Sequence, residues 1–153
     1  MIMNLTLIKT DSDNQDFKKL VELLDASLAE TDGDEHDFYH QFNGIVNIRY
    51  VLVAYLDGMA VGCGAIKKYD DNTMEVKRMY VKAENRGQGI ASQILNELEN
   101  WTAALGFEYC ILETGKRQYE AISLYQKLNY EIITNYGQYE NVENSVCMKK
   151  RVK

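Results

Sequence analysis

The chain has no proline in its 153 residues, so every turn in it must come from glycine, asparagine or aspartate. It has three cysteines, Cys63, Cys110 and Cys147, an odd number, far apart and without C-x-x-C spacing. That excludes a disulfide framework and a cysteine zinc site. Each cysteine lies in a strand-like run and reads as a buried thiol without chemistry, in a reducing, cytoplasmic compartment. No apolar run approaches the ~18–20 residues that span a bilayer. Residues 1–9 lack a basic segment, an apolar stretch and a cleavage site, so no signal peptide is expected. Basic charge is scarce: 17 Lys and Arg against 23 Asp and Glu leave a net charge of −6, which does not suit a nucleic-acid partner. It suits a cationic small molecule drawn in by long-range attraction, or serves only solubility. The two histidines, His36 and His40, are spaced i, i+4 beside Asp34, Glu35 and Asp37. They lack the glutamate of H-E-x-x-H and a third ligand, so no metal site is expected.

What is present suits a single domain over residues 1–153. The composition, 46% hydrophobic and 26% charged, can bury a core, and no linker, repeat or low-complexity segment interrupts it. Residues 1–8 alternate weakly and predict a first strand. Ser12 with Gln15 has the form of a capping box, and Phe17, Leu20, Val21, Leu24 and Leu28 then make the apolar stripe of a helix. The acidic stretch 30–37 predicts a loop, with a short helix after it through Phe38 and Phe42. Residues 50–56 are β-branched and aromatic, Asp57-Gly58 signals a hairpin, and 59–68 is the return strand. Asp70-Asp71-Asn72 turns into a strand over 74–81. A glycine-containing loop then leads into a helix carrying Ile90, Ile94, Leu95, Leu98, Trp101 and Leu105, closed by Gly106. A strand over 107–112, a helix over 119–128 packing through Ala121, Ile122, Leu124, Tyr125 and Leu128, and strands over 130–134 and 146–150 follow. The order predicts an α/β layered domain with a mixed sheet and helices on both faces.

The sharpest local signal runs from Val81 to Ala91: a strand end, Arg86-Gly87-Gln88-Gly89, and the helix start at Ile90-Ala91. A helix's first turn offers free N–H groups and the positive end of its dipole, and glycines let a bulky anion approach. Arg86 adds a fixed charge. The run is not G-x-x-x-x-G-K-[ST], and Ser92 stands where G-x-G-x-x-G needs its third glycine.

Arg86-x-x-Gly89-x-Ala91 resembles the acetyl-CoA motif Q/R-x-x-G-x-G/A of the GNAT superfamily of N-acetyltransferases. Ala121-Ile-Ser-Leu-Tyr125-Gln-Lys127-Leu-Asn-Tyr130 resembles its second signature, A-x-x-L-Y-x-K-x-G-F. Asn129 replaces the signature glycine, and asparagine tolerates the left-handed backbone that a helix C-cap needs. The resemblance covers residues 5–150. It implies the GNAT fold, a mixed sheet of about six to seven strands flanked by about four helices. It also implies acetyl-CoA as cosubstrate, with Arg86, Gly87, Gln88, Gly89, Ile90 and Ala91 on the pyrophosphate. The pantetheine amides pair with main chain at Met79 and Val81 like an added strand, and Gln118 stands where the family often carries an asparagine contact to that arm. A homodimer is common in the family.

Acetyl transfer to an amine needs a held thioester, a deprotonated acceptor, a donor for the oxyanion and a hydrogen bond or proton for the departing thiolate. The resemblance gives the last role to Tyr125 and the oxyanion donor to the N–H of Met79. Lys127 either approaches the CoA phosphates or is a solvated helix lysine. Period 2 puts Glu75, Lys77, Met79 and Val81 on one face, and Glu75 is the base candidate, against its reading as a surface glutamate near Lys77. Glu113 is the second choice, and a water relay a third. The expected reaction is direct attack by a small-molecule primary amine. The alternatives are an acetyl-CoA sensor without turnover, a protein N-terminus or lysine acetyltransferase, and a nucleotide-binding domain using the same helix terminus.

Overall fold

In a computed structural model the described residues are 4–32 and 47–153. The expected helix through Phe38 and Phe42, the histidines His36 and His40, and Asp34, Glu35 and Asp37 lie outside them. The described elements are strand β1 (Leu5–Thr10), helix α1 (Gln15–Asp32), strands β2 (Tyr50–Leu56), β3 (Met59–Asp70) and β4 (Thr73–Val81), helix α2 (Ile90–Ala104), strand β5 (Tyr109–Gly115), helix α3 (Tyr119–Lys127), and strands β6 (Glu131–Ile133) and β7 (Ser145–Arg151). The seven strands form one mixed sheet in the order β1-β2-β3-β4-β5-β7-β6. The β4–β5 pair is parallel, and β1–β2, β2–β3, β5–β7 and β7–β6 are antiparallel. Three α-helices stand among the described residues.

The chain divides into two compact units, 1–67 with 76–98, and 68–75 with 99–153. In the first, the β2–β3 hairpin closes through Asp57 at φ +51° and Gly58 at φ +85°, the two left-handed residues that a two-residue turn of primed type requires. The side chains of β3 alternate. Cys63 and Ala65 join Phe17, Leu20 and Val21 of α1 and Val51 and Val53 of β2 in one buried cluster. Gly62 and Gly64 face the other way. A Cβ on Gly62 would lie 2.9 Å from the Tyr80 carbonyl oxygen and 3.1 Å from Ile94 of α2, and one on Gly64 would lie 2.9 Å from Ile94 and Leu98. Helices therefore cover β3 on both faces, and α2 sits as close as it does because those two positions have no side chain.

The start of α1 corrects the expected cap. Asn14 Oδ1 accepts the Phe17 N–H at 2.9 Å, so Asn14 is the N-cap. Ser12 Oγ is buried and accepts the N–H of Ile48, 36 residues on, at 2.9 Å. A tertiary bond has taken the oxygen that the local pattern assigned to the helix. The far end runs longer than expected: residues 30–32 are helical, with Thr31 Oγ1 donating to the Ser27 carbonyl at 3.3 Å.

In the second unit, β4 pairs with β5 over Thr73–Glu75 against Tyr109–Ile111. Strand β5 starts later than expected because Phe107 N–H closes α2 by bonding to the Thr102 carbonyl at 3.1 Å. It ends later because its ladder with β7 continues to Gly115 opposite Ser145. Helix α3 closes in a Schellman motif: Tyr130 N–H donates to the Tyr125 carbonyl at 2.9 Å and Asn129 N–H to that of Gln126 at 3.0 Å. Asn129 takes φ +75° there.

Candidate active site

In the first unit, β4 ends at buried Val81 and a single 3-10 turn, Ala83–Asn85, leads to Arg86. Arg86 Nε donates to the Val81 carbonyl at 2.8 Å, and its guanidinium lies 5.5 Å from the centre of the Tyr80 ring. These two contacts hold a positive charge beside the loop. Gly87 and Gly89 both have φ +80°, and a Cβ on either would meet nothing within 4 Å. The glycines are thus required by backbone conformation, with open space above them. Gly89 is the N-cap of α2, its carbonyl accepting the Gln93 N–H at 3.2 Å. The N–H groups of Ile90, Ala91 and Ser92 fall in the first turn, which has no intrahelical acceptors. Ile90 buries its side chain, so it offers the loop only its backbone. Gln88 is exposed.

Upstream in β4, Arg78 has φ +60°, an uncommon value for a non-glycine residue and about 1–3 kcal/mol of strain. It is buried, and its carbonyl oxygen accepts the Cys63 S–H at 3.2 Å. No glycine or turn residue in the sequence marks this position. A left-handed residue interrupts strand alternation, so the single face expected for Glu75, Lys77, Met79 and Val81 does not run through it. Beyond the break, Met79 and Val81 lie over Gly64 and Gly62, on the α2 side of β3.

In the second unit, Tyr125 is the buried residue of α3. Its ring packs at 5.8 Å on that of Tyr130, and burial, then the charge of Glu113, raise its phenol from 10.0 to about 12. Lys127 is exposed in the last turn of the same helix. Glu75 is only 9% exposed, which removes its reading as a surface glutamate. Its Oε2 accepts the Tyr136 hydroxyl at 2.7 Å, and Glu113 Oε2 accepts that of Ser145 at 2.8 Å. Tyr139 is buried, and its phenol is pushed far up by burial and then by the charges of Glu113 and Glu75. Both candidate carboxylates therefore act on one tyrosine. Tyr136, Tyr139 and Ser145 have no motif in the sequence that singles them out.

Gln118 begins α3 without capping it, and among the described residues its Nε2 is buried with no hydrogen-bond acceptor. An unmet buried donor costs about 1–3 kcal/mol, which a ligand carbonyl would recover. The unmet Gln118 donor of the second unit fits an amide carbonyl, and the two left-handed glycines and fixed Arg86 of the first fit a pyrophosphate. The three thiols are buried, and burial raises Cys63 to about 12 and Cys110 and Cys147 to about 11, the opposite of an activated nucleophile. Among the described residues no group of three or more His, Cys, Asp or Glu is placed to hold a metal, and no helix is long and apolar enough to cross a membrane.

The family model described as the acetyltransferase (GNAT) family matches residues 17–130. The IAA acetyltransferase of Azospirillum brasilense is 31% identical over 150 residues, covering 96% of this chain and 97% of its own. A Klebsiella pneumoniae structure described as an acyl-CoA N-acyltransferase superposes with a TM-score of 0.79 at 29% identity, covering 98% of this chain and 99% of that one. The PaiA N-acetyltransferase of Thermoplasma acidophilum, solved with coenzyme A, shares the fold with a TM-score of 0.72 at 20% identity, covering 97% and 99%. The matched span contains the Arg86–Ala91 loop and Tyr125, and with it this chain belongs to the acetyltransferase (GNAT) family and is an acyltransferase.

Proposed function

We propose that the chain is an acetyl-CoA-dependent N-acetyltransferase, acting as one domain, whose acceptor is a primary amine of a small molecule. The observation that carries this reading is the loop of residues 86–91, with left-handed Gly87 and Gly89 ahead of α2 and Arg86 pinned beside them. Bound acetyl-CoA supplies a thioester, whose carbonyl carbon accepts the amine and whose sulfur departs. The first-turn N–H groups and Arg86 hold the pyrophosphate. The main chain of Met79 and Val81 binds the pantetheine amides, and Gln118 Nε2 meets one of their carbonyls. Arg78 turns the following peptide out of a regular strand, which supports Met79 N–H as the donor to the thioester oxygen. Tyr125 gives a hydrogen bond to the leaving sulfur. Glu75 takes the acceptor's proton, with Glu113 as the second carboxylate. The raised thiols support direct attack without an acetyl-cysteine. Three buried unpaired cysteines suit a reducing, cytoplasmic setting, and the net charge of −6 suits a cationic amine.

The test is CoA release from acetyl-CoA over a panel of free amino acids, polyamines, aminoglycosides, and peptides with a free N-terminus or lysine. Turnover with a small amine and none with the peptides is the expected result. Turnover with peptides alone would replace the acceptor class. Tight acetyl-CoA binding with no turnover across the panel would make the chain a binding protein.

A further inference from the structure

Tyr136 takes no part in the reaction as written above, yet it holds the carboxylate of the proposed base. Its hydroxyl reaches Glu75 Oε2 at 2.7 Å across 61 positions of sequence. The connection between β6 and β7 that carries it is braced by its own backbone: Tyr139 N–H donates to the Tyr136 carbonyl at 2.9 Å and Val142 N–H to that of Tyr139 at 3.0 Å. Asn135 Nδ2 adds a bond to the Val142 carbonyl at 3.0 Å. Two further rings meet Tyr136 edge-on, Tyr69 at 5.1 Å and 72°, and Tyr139 at 5.8 Å and 87°. Such pairs are favourable beyond the area they bury, and two of them pack this ring. Burial, then the charge of Glu75, also keeps the phenol protonated far above the usual tyrosine range. The result is a fixed donor aimed at one carboxylate oxygen.

We infer that Tyr136 is a positioning residue for Glu75. By occupying Oε2 it selects one orientation of the carboxylate, and so sets where Glu75 receives the acceptor's proton. The inference rests on Glu75 being the base. A bond that merely satisfied a buried carboxylate would make the same contact, so the test must read catalysis and coupling as well as stability.

Four proteins decide it: the native chain, Glu75→Gln, Tyr136→Phe and the double variant. Each is assayed by CoA release with the best amine from a panel of free amino acids, spermidine and an aminoglycoside. Phenylalanine keeps the ring between Tyr69 and Tyr139 and removes only the hydroxyl. Tyr136→Phe is expected to lower kcat roughly 10- to 100-fold, the usual effect of a misplaced catalytic group, with the KM for acetyl-CoA changed less than about twofold. The double variant should be no slower than Glu75→Gln alone, because Tyr136 acts only through that carboxylate. Losses that multiply in the double variant would overturn the inference. So would an unchanged kcat in Tyr136→Phe beside a slow Glu75→Gln, which leaves the base assignment standing. An unchanged kcat in Glu75→Gln removes the base and the inference together, and no turnover by the native chain removes the proposed function as well. If Tyr136→Phe does not melt cooperatively, Tyr136→His restores a ring donor. Partial recovery of kcat then supports positioning, and recovery of the melt without any of kcat overturns it.

Discussion

Replacing Tyr125 by phenylalanine removes one oxygen and keeps the ring that packs on Tyr130 at 5.8 Å. The size of the effect follows from where the phenol titrates. Burial and Glu113 raise it to about 12, whereas an ordinary thiol titrates near ~8.5. Complete proton transfer to the departing thiolate is thus uphill by roughly 3.5 units, close to 5 kcal/mol at ~1.36 kcal/mol per unit. Tyr125 is better suited to donating a hydrogen bond to the sulfur as charge develops on it. A hydrogen bond to a charged group contributes about 1.5–3 kcal/mol, which is roughly a 10- to 150-fold change in rate. Tyr125→Phe should therefore lower kcat by that range, near the bottom of the ~10²–10⁴-fold span of full acid catalysis. Acetyl-CoA affinity should stay as it is. Since the phenol keeps its proton to about pH 12, no alkaline limb of the rate profile below ~pH 11 should vanish in the variant. The assay is steady-state and single-turnover CoA release on the two proteins across pH, with a calorimetric acetyl-CoA titration. An unchanged single-turnover rate would leave Tyr125 a packing residue. A loss well beyond ~10³-fold would mean full proton transfer, and the hydrogen-bond argument would be wrong.

Two further outcomes follow from the packing. Gly62→Ala places a methyl 2.9 Å from the Tyr80 carbonyl oxygen, which cannot rotate away as a side chain can. Urea unfolding should show a loss of about 1–3 kcal/mol, and wild-type stability would refute the close packing at Gly62. The buried thiols set a pH dependence. Burial pushes them up to about 12 for Cys63 and about 11 for Cys110 and Cys147. The unfolded chain loses these protons first, so their stabilising contribution is complete below pH 9 and disappears as pH climbs toward 11–12. Cys63→Ala should flatten part of that decline in urea titrations above pH 9, and an unaltered slope would contradict the burial of its thiol.

The features legible in the sequence are those set by local chemistry. Asp57-Gly58 and Asn129 take the left-handed backbone that their residue types allow, and the hairpin and the α3 cap follow from them. The glycine loop at α2 carries a pattern of fixed spacing, and its conformation agrees with it. What could not be read depends on distant partners. Ser12 looks like a cap until Ile48 claims its oxygen. Arg78 is an ordinary strand residue by type, and its positive φ persists inside a buried setting that includes Cys63. Glu75 looks exposed by type, and its burial shows only once the β6–β7 connection folds back and brings the Tyr136 hydroxyl to it. Periodicity fails for the same reason, since one left-handed residue breaks the face that a period of two would extend along β4.

The proposed function rests first on acetyl-CoA being held by the backbone of residues 86–91. Calorimetric titration of acetyl-CoA into the native chain and into Gly89→Val tests it most directly. Gly89 needs φ +80°, which valine adopts only at a cost of about 1–2 kcal/mol, and valine's branched side chain would project into the open space above the loop. The position is exposed, so the variant should still melt cooperatively. Measurable binding to the native chain and a loss of at least about tenfold in the variant, the equivalent of ~1.4 kcal/mol, are expected. Equal affinity in the two proteins, with both folded, would place the cosubstrate elsewhere.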